Sequence, residues 1–182
     1  MSASIPFRVG DAVVYPNHGV GVIEQIGRRE IGATSQEFYH LRIEASNLRV
    51  MVPFATAASV GMRPVIEPRA LAPILLFLQG RETVACAGDW KGRFKENSDK
   101  LRGGELAQVA EVLKGLVQVH QAKPLSFREK KMLDRAAYLV VSEIASANRL
   151  SLEEALALLQ RTLAQASLVL PPFENDGLRQ AG

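Results

Sequence analysis

The sequence predicts an α+β protein, with a small antiparallel β-barrel first and a compact all-α region of about five helices after it. Three observations carry that reading. Before residue 67 the apolar residues alternate with a period of two and are rich in β-branched types. After it they recur at helical spacing. Turn and cap residues punctuate both patterns. Organisation is therefore expected as residues 1–66, then 67–170, with a polar tail over 171–182 that is expected to be disordered.

Taken in order, Phe7-Arg8-Val9-Gly10-Asp11 leads into a strand, Ala12-Val13-Val14-Tyr15, and Pro16-Asn17-His18-Gly19 is a turn cluster. Val20-Gly21-Val22-Ile23-Glu24-Gln25-Ile26 resumes an extended run, and Gly19 and Gly21 allow it to bend. Gly32-Ala33-Thr34 fills a hairpin position. Over 37–43, Phe38, His40 and Arg42 face one way and Tyr39, Leu41 and Ile43 the other. The run over 48–52 alternates again and stops at Pro53. Pro68 then opens a helix ended by Gly80. Asp89 is an N-cap for a helix over 90–102, and Gly103-Gly104 ends it. Leu106, Val109, Ala110, Leu113, Leu116 and Val117 form the stripe of the next helix, 105–121. Ser126-Phe127-Arg128-Glu129 and Ser151-Leu152-Glu153-Glu154 are capping-box signatures for two more.

Bulk properties exclude several classes. The 182 residues are 47% hydrophobic and 23% charged, ordinary for a soluble globular chain. The net charge of +3 is mild, but residues 91–102 hold five basic and two acidic residues, and 123–135 repeat that balance. Two basic clusters in one half suggest an anionic partner, although Lys and Arg also simply solvate helix surfaces. A single cysteine, Cys86, allows no internal disulfide and no multi-cysteine zinc site. The apolar run over 71–78 is too short to span a bilayer, and the N-terminus has no signal-peptide pattern. A cytoplasmic, monomeric protein without membrane contact, metal or cofactor is expected.

Catalytic motifs are missing from the sequence. There is no phosphate-binding G-x-x-x-x-G-K-[ST] and no G-x-G-x-x-G. His18, His40 and His120 are scattered; they read as a turn residue, a strand-face residue and a helix-end residue. Cys86 has no histidine near it in sequence and reads as an incidental thiol rather than a nucleophile. The protein is expected not to be an enzyme.

Trp90 is the one tryptophan, and it opens a polar helix, Trp90-Lys91-Gly92-Arg93-Phe94-Lys95-Glu96-Asn97. Trp90, Phe94 and Leu101 form its apolar line. Two readings stand side by side. Trp90 either anchors this helix on its neighbours, or it is a partly exposed wedge flanked by Arg93 and Lys95, able to enter a minor groove while cations hold phosphates.

The run Phe7-Arg8-Val9-Gly10-Asp11-Ala12-Val13-Val14-Tyr15-Pro16-Asn17-His18-Gly19-Val20-Gly21 resembles the opening of CarD/CdnL proteins and of the polymerase-interacting domain of transcription-repair coupling factor. Arg49-Val50-Met51-Val52-Pro53 and Val60-Gly61-Met62-Arg63 are similar to that family's last strands. Three later stretches are similar to CarD/CdnL alone: Asp89 through Asn97, Lys100-Leu101-Arg102-Gly103-Gly104, and Leu125-Ser126-Phe127-Arg128-Glu129-Lys130-Lys131-Met132-Leu133. The resemblance spans about residues 7–165, and the coupling factor's motor motifs are absent.

The resemblance implies a Tudor-like barrel that adds an edge strand to the β-subunit of bacterial RNA polymerase, and a helical region that touches promoter DNA at the upstream edge of the melted bubble. Polymerase contact is thereby implied for Arg29, Arg49, Val50, Met51 and Pro53, with Met51 acting by packing rather than as an ion pair. DNA contact is implied for Trp90 as a wedge and for Arg93, Lys95 and Lys130. Lys131 and Arg135 either join them or only solvate their helix. Gly92 stands where relatives carry Arg, which removes one phosphate contact. The expected function is a transcription regulator that stabilises the promoter open complex. The alternative is a protein-only adaptor tethering another factor to polymerase, with Trp90 in the core.

Overall fold

A computed structural model describes residues 7–85 and 88–172. Cys86 and the tail from residue 173 therefore lie outside the described residues, as do positions 1–6. Five strands, β1 (Ala12–Tyr15), β2 (Gly19–Ile31), β3 (Thr34–Ile43), β4 (Arg49–Pro53) and β5 (Arg63–Pro64), form one antiparallel sheet in the order β4-β3-β2-β1-β5. A short helix, α1 (Phe54–Ala57), links β4 to β5. The expected barrel is an open sheet, with β4 and β5 as its two edges.

The alternation read from the sequence sets the core side. Tyr39, Leu41 and Ile43 are buried, and Tyr39, Leu41, Val13, Ile23, Val52, Ala57 and Met62 pack together beneath the sheet. Tyr39 stacks on Phe54 with ring centroids 3.9 Å apart. Strands β2 and β3 run further than the apolar pattern indicates. Their outer halves form a ribbon in which Arg28, Arg29, Glu30 and Ile31 are exposed and are held by cross-strand pairing rather than by burial. The register slips between Ile23 and Gln25, so Glu24 sits at a bulge. From there its carboxylate meets Arg42 at 2.7 Å and Arg49 at 3.3 Å.

Five helices follow: α2 (Pro68–Gln79), α3 (Trp90–Gly103), α4 (Leu106–Ala122), α5 (Phe127–Asn148) and α6 (Leu152–Gln165). Both capping boxes form, Ser126 with Glu129 and Ser151 with Glu154. The central helix is α5, whose Leu133, Ala136, Ala137, Val140, Val141 and Ile144 are buried against α4 and α6. Lys114 on α4 is fully buried and donates to the Phe77 carbonyl at 2.6 Å, satisfying the C-terminal end of α2.

The turn Pro16-Asn17-His18-Gly19 does more than reverse the chain. It is pressed against the helices: a Cβ on Gly19 would stand 2.9 Å from the Tyr138 ring, and one on Gly104 would stand 3.0 Å from Pro16. Beside it Arg63 forms a two-pronged pair with Glu143, at 2.6 and 2.8 Å, and donates to the Gly104 carbonyl at 2.7 Å. The Ile66 amide donates to the same carboxylate at 2.9 Å. Sheet and helices thus meet across a polar lock bordered by close backbone contact. His18 belongs to this seam; it stacks on Tyr15, and burial together with Arg135 holds its pKa below the usual histidine value.

Candidate functional site

The first candidate surface is the β4 edge. Among the described residues β4 pairs only with β3, matching Phe38 with Pro53, His40 with Met51 and Arg42 with Arg49, so its other flank has no strand partner there. Directly paired residues share a face, and faces alternate along each strand. Arg49, Met51 and Pro53 therefore lie on the face of Phe38, His40 and Arg42. Gln36 continues that row on β3, and its cross-strand partner is Arg29. Four of the five residues expected to meet polymerase, Arg29, Arg49, Met51 and Pro53, thus occupy one face of the sheet beside an open edge. Val50 alternates to the core side, where it packs against the β cluster, so it offers this surface only its backbone.

The second surface surrounds the start of α3. Asp89 caps the helix, accepting from the Gly92 amide at 3.1 Å. Trp90 follows at the first helical position and is 53% exposed. The ring is therefore not part of the buried core. Its ring borders an open cleft of about 520 Å³ whose other lining residues are Ser126, Phe127, Arg128 and Glu129. Phe127, at the first position of α5, is 74% exposed. Each ring has a lysine ammonium 5.8 Å from its centroid, Lys91 at Trp90 and Lys131 at Phe127. Lys95, Arg128 and Lys130 are also exposed. Two outward aromatic rings among cations make a surface suited to an unstacked base step and its phosphates.

Arg93 departs from the expectation. It is 6% exposed, and its Nε and Nη2 donate to Glu129 Oε1 at 3.1 and 2.8 Å. The helix period explains the difference: α3 buries Arg93, Asn97 and Leu101, while Trp90 faces outward and Phe94 is only partly covered. The apolar line expected through Trp90, Phe94 and Leu101 is therefore not the buried face. Arg93 is used inside the protein and is not displayed to an anion. Glu129 also accepts from the Ser126 amide at 3.0 Å and hydroxyl at 2.9 Å. Burial alone would raise its pKa, but the Ser126 donors and the Arg93 guanidinium outweigh that and hold it below the usual carboxylate value.

Sequence reasoning missed Phe127 as part of this face, treating it only as a residue inside a capping box. The available signal was its position: an apolar residue immediately after an N-cap, followed by Arg128, Lys130 and Lys131, is poorly placed to reach the core. Among the described residues no group of three His, Cys, Asp or Glu side chains could hold a metal ion. His120 Nδ1 is buried without a hydrogen-bond partner among them. No helix among them is long and apolar enough to cross a membrane.

An open-edged sheet locked to a helical region with an exposed aromatic, cationic face belongs with the CarD-like class of transcription regulators. Two family profiles match: the CarD-like/TRCF RID domain over residues 7–66, and the CarD C-terminal domain over residues 74–160. The chain belongs to the CarD family, whose members are transcription regulators that interact with RNA polymerase rather than a class of enzymes. It is 39% identical over 138 residues, 76% of this chain and 90% of the relative, to the Bacillus subtilis (strain 168) protein named "Putative transcription factor YdeB".

Proposed function

We propose that this protein grips the β-subunit of RNA polymerase with the β4 edge and the face bearing Arg29, Arg49, Met51 and Pro53, and stabilises the promoter open complex by inserting Trp90 into the minor groove at the upstream edge of the bubble. Strand addition supplies main-chain hydrogen bonds, and the flanking side chains supply selectivity. Lys95 and Lys130, with Lys91 and Arg128, would hold phosphates beside the inserted ring. Residues 1–66 would form the polymerase-binding unit and 67–170 the DNA-contacting unit. Work as a monomer, in the cytoplasm and on the nucleoid through polymerase, belongs to the same reading.

The observation that carries it is a lone tryptophan more than half exposed on a cation-rimmed cleft. A wedge stabilises an open duplex only through its greater affinity for the open state. An advantage of about 1–2 kcal/mol raises the open-to-closed ratio roughly five- to thirty-fold. Trp90→Ala is therefore expected to leave polymerase binding intact and to shorten open-complex lifetime by a similar factor after a heparin challenge. An unchanged lifetime would refute the wedge.

A further inference from the structure

We propose that Arg93 and Glu129 are positioning residues for the Trp90 indole, fixing the first turn of α3 to the capped start of α5, and that Arg93 is not one of the phosphate contacts. The proposal rests on the wedge reading. It starts from how little else holds Trp90 in place. The first turn of a helix lacks part of its hydrogen bonding and frays readily. On α3 the fully apolar buried anchor is Leu101, at the far end, and the face toward the core begins with Arg93 and Asn97. Near Trp90 the fixed points are the Asp89 cap, the Arg93 side chain and the half-buried Phe94 ring; of these the Arg93 pair alone ties α3 to the start of α5 by hydrogen bonds.

Glu129 is occupied on both oxygens. Oε1 takes two bonds from Arg93, and Oε2 takes two from Ser126. One carboxylate therefore closes the capping box of α5 and clamps α3, joining residues that are 36 apart in sequence. Trp90 lies three residues before Arg93, and the cleft it borders is lined by Ser126, Phe127, Arg128 and Glu129. The clamp sets the geometry of that cleft. A ring already held in its inserting pose loses less freedom on insertion, so the clamp raises the affinity of the wedge without touching DNA. A lysine in place of Arg93 lacks the planar fork that makes two bonds to one carboxylate.

Trp90 is the only tryptophan, so its fluorescence anisotropy in the free protein reports directly on the ring. The variants are Arg93→Met, Glu129→Gln and the double substitution, with Lys95→Ala as a phosphate-contact comparator and Trp90→Ala as the wedge control. Glu129→Gln preserves the size of the group and keeps the test alive if Arg93→Met fails to fold by circular dichroism. Expected results are lower Trp90 anisotropy and an open-complex lifetime at least about five-fold shorter for each clamp variant. The double variant should be no worse than the poorer single. The salt dependence of the lifetime should stay unchanged for the clamp variants and weaken for Lys95→Ala. A weakened salt dependence in Arg93→Met would overturn the proposal by making Arg93 a phosphate contact. So would folded clamp variants with unchanged anisotropy and lifetime. If Trp90→Ala leaves the lifetime unaltered while the clamp variants still lower anisotropy, the wedge reading fails and the positioning of the ring stands.

Discussion

Gly19 and Gly32 look alike in the sequence, each in a turn between strands, and both adopt positive φ, +90° and +63°. Their surroundings separate them. A methyl group on Gly32 meets nothing within 4 Å, whereas on Gly19 it would meet the Tyr138 ring at 2.9 Å and Ser142 Oγ at 3.2 Å. Tyr138 is 4% exposed and has nowhere to retreat. Burial also pushes its phenol up to about 12. Gly32→Ala should cost only the strained backbone, about 1 kcal/mol. Gly19→Ala adds overpacking at the seam and should cost on the order of 2–4 kcal/mol in all. Urea denaturation of the two variants decides it; equal midpoints would mean that the seam yields easily. What a sequence shows at such a position is the turn, and what it hides is the ring 119 residues later that fills the space beside it.

At the scale of elements, local signals were legible and long-range partnerships were not. Asp89, Ser126 and Ser151 cap their helices as the sequence indicates, because a cap is a contact within three residues. The alternation of β3 placed its core side for the same reason. The outer ribbon of β2 and β3, the two-residue β5 and the burial of Arg93 depend on strands or helices far away in sequence, and the polar face Arg93-Asn97 looks like solvated surface until α5 is set beside it. The sheet face is likewise a product of pairing, since Arg29 joins Arg49 and Met51 only across β3. Arg29→Glu reverses a charge on that face without disturbing the core, so binding to isolated β-subunit should weaken by about ten-fold or more, with the thermal midpoint unchanged; normal capture of the β-subunit would remove this face from the interface. The start of α5 has a pH signature. The folded-state pKa of Glu129 is lowered, so its contribution is fully present above the ordinary carboxylate value of 4.5 and is lost as pH falls through the lower folded value. The stability gap between the wild type and Glu129→Gln should therefore be flat from pH 7 to about 5 and close below that range. A gap that closes near pH 6 would mean that another group is titrating.

For the molecule as a whole, the proposed function, polymerase held at one end and a ring inserted into DNA at the other, needs a fixed relation between the two ends. Arg63 and Glu143 supply it. Glu143 is 3% exposed and accepts from both Arg63 Nη groups and from the Ile66 amide. Arg63 in turn holds the Gly104 carbonyl at the end of α3, the helix that Trp90 begins. Removing one partner of such a pair leaves buried polar groups unsatisfied, which costs about 3–5 kcal/mol in a dry interior. Arg63 retains 20% side-chain exposure and can recruit water, which lowers the expected cost to about 2–3 kcal/mol. The functional consequence follows a different axis from stability. Glu143→Ala touches neither the β4 face nor the Trp90 cleft, so binding to the β-subunit and the fluorescence anisotropy of Trp90 should stay at wild-type values. Small-angle scattering should show a broader distribution of shapes, and open-complex lifetime should fall because a wedge on a loose hinge meets the fork in the right pose less often. A shortened lifetime with an unchanged scattering profile would mean that Glu143 acts locally. An unaltered lifetime beside a broadened profile would mean that polymerase and DNA themselves hold the two modules in register, and the lock would then serve stability alone.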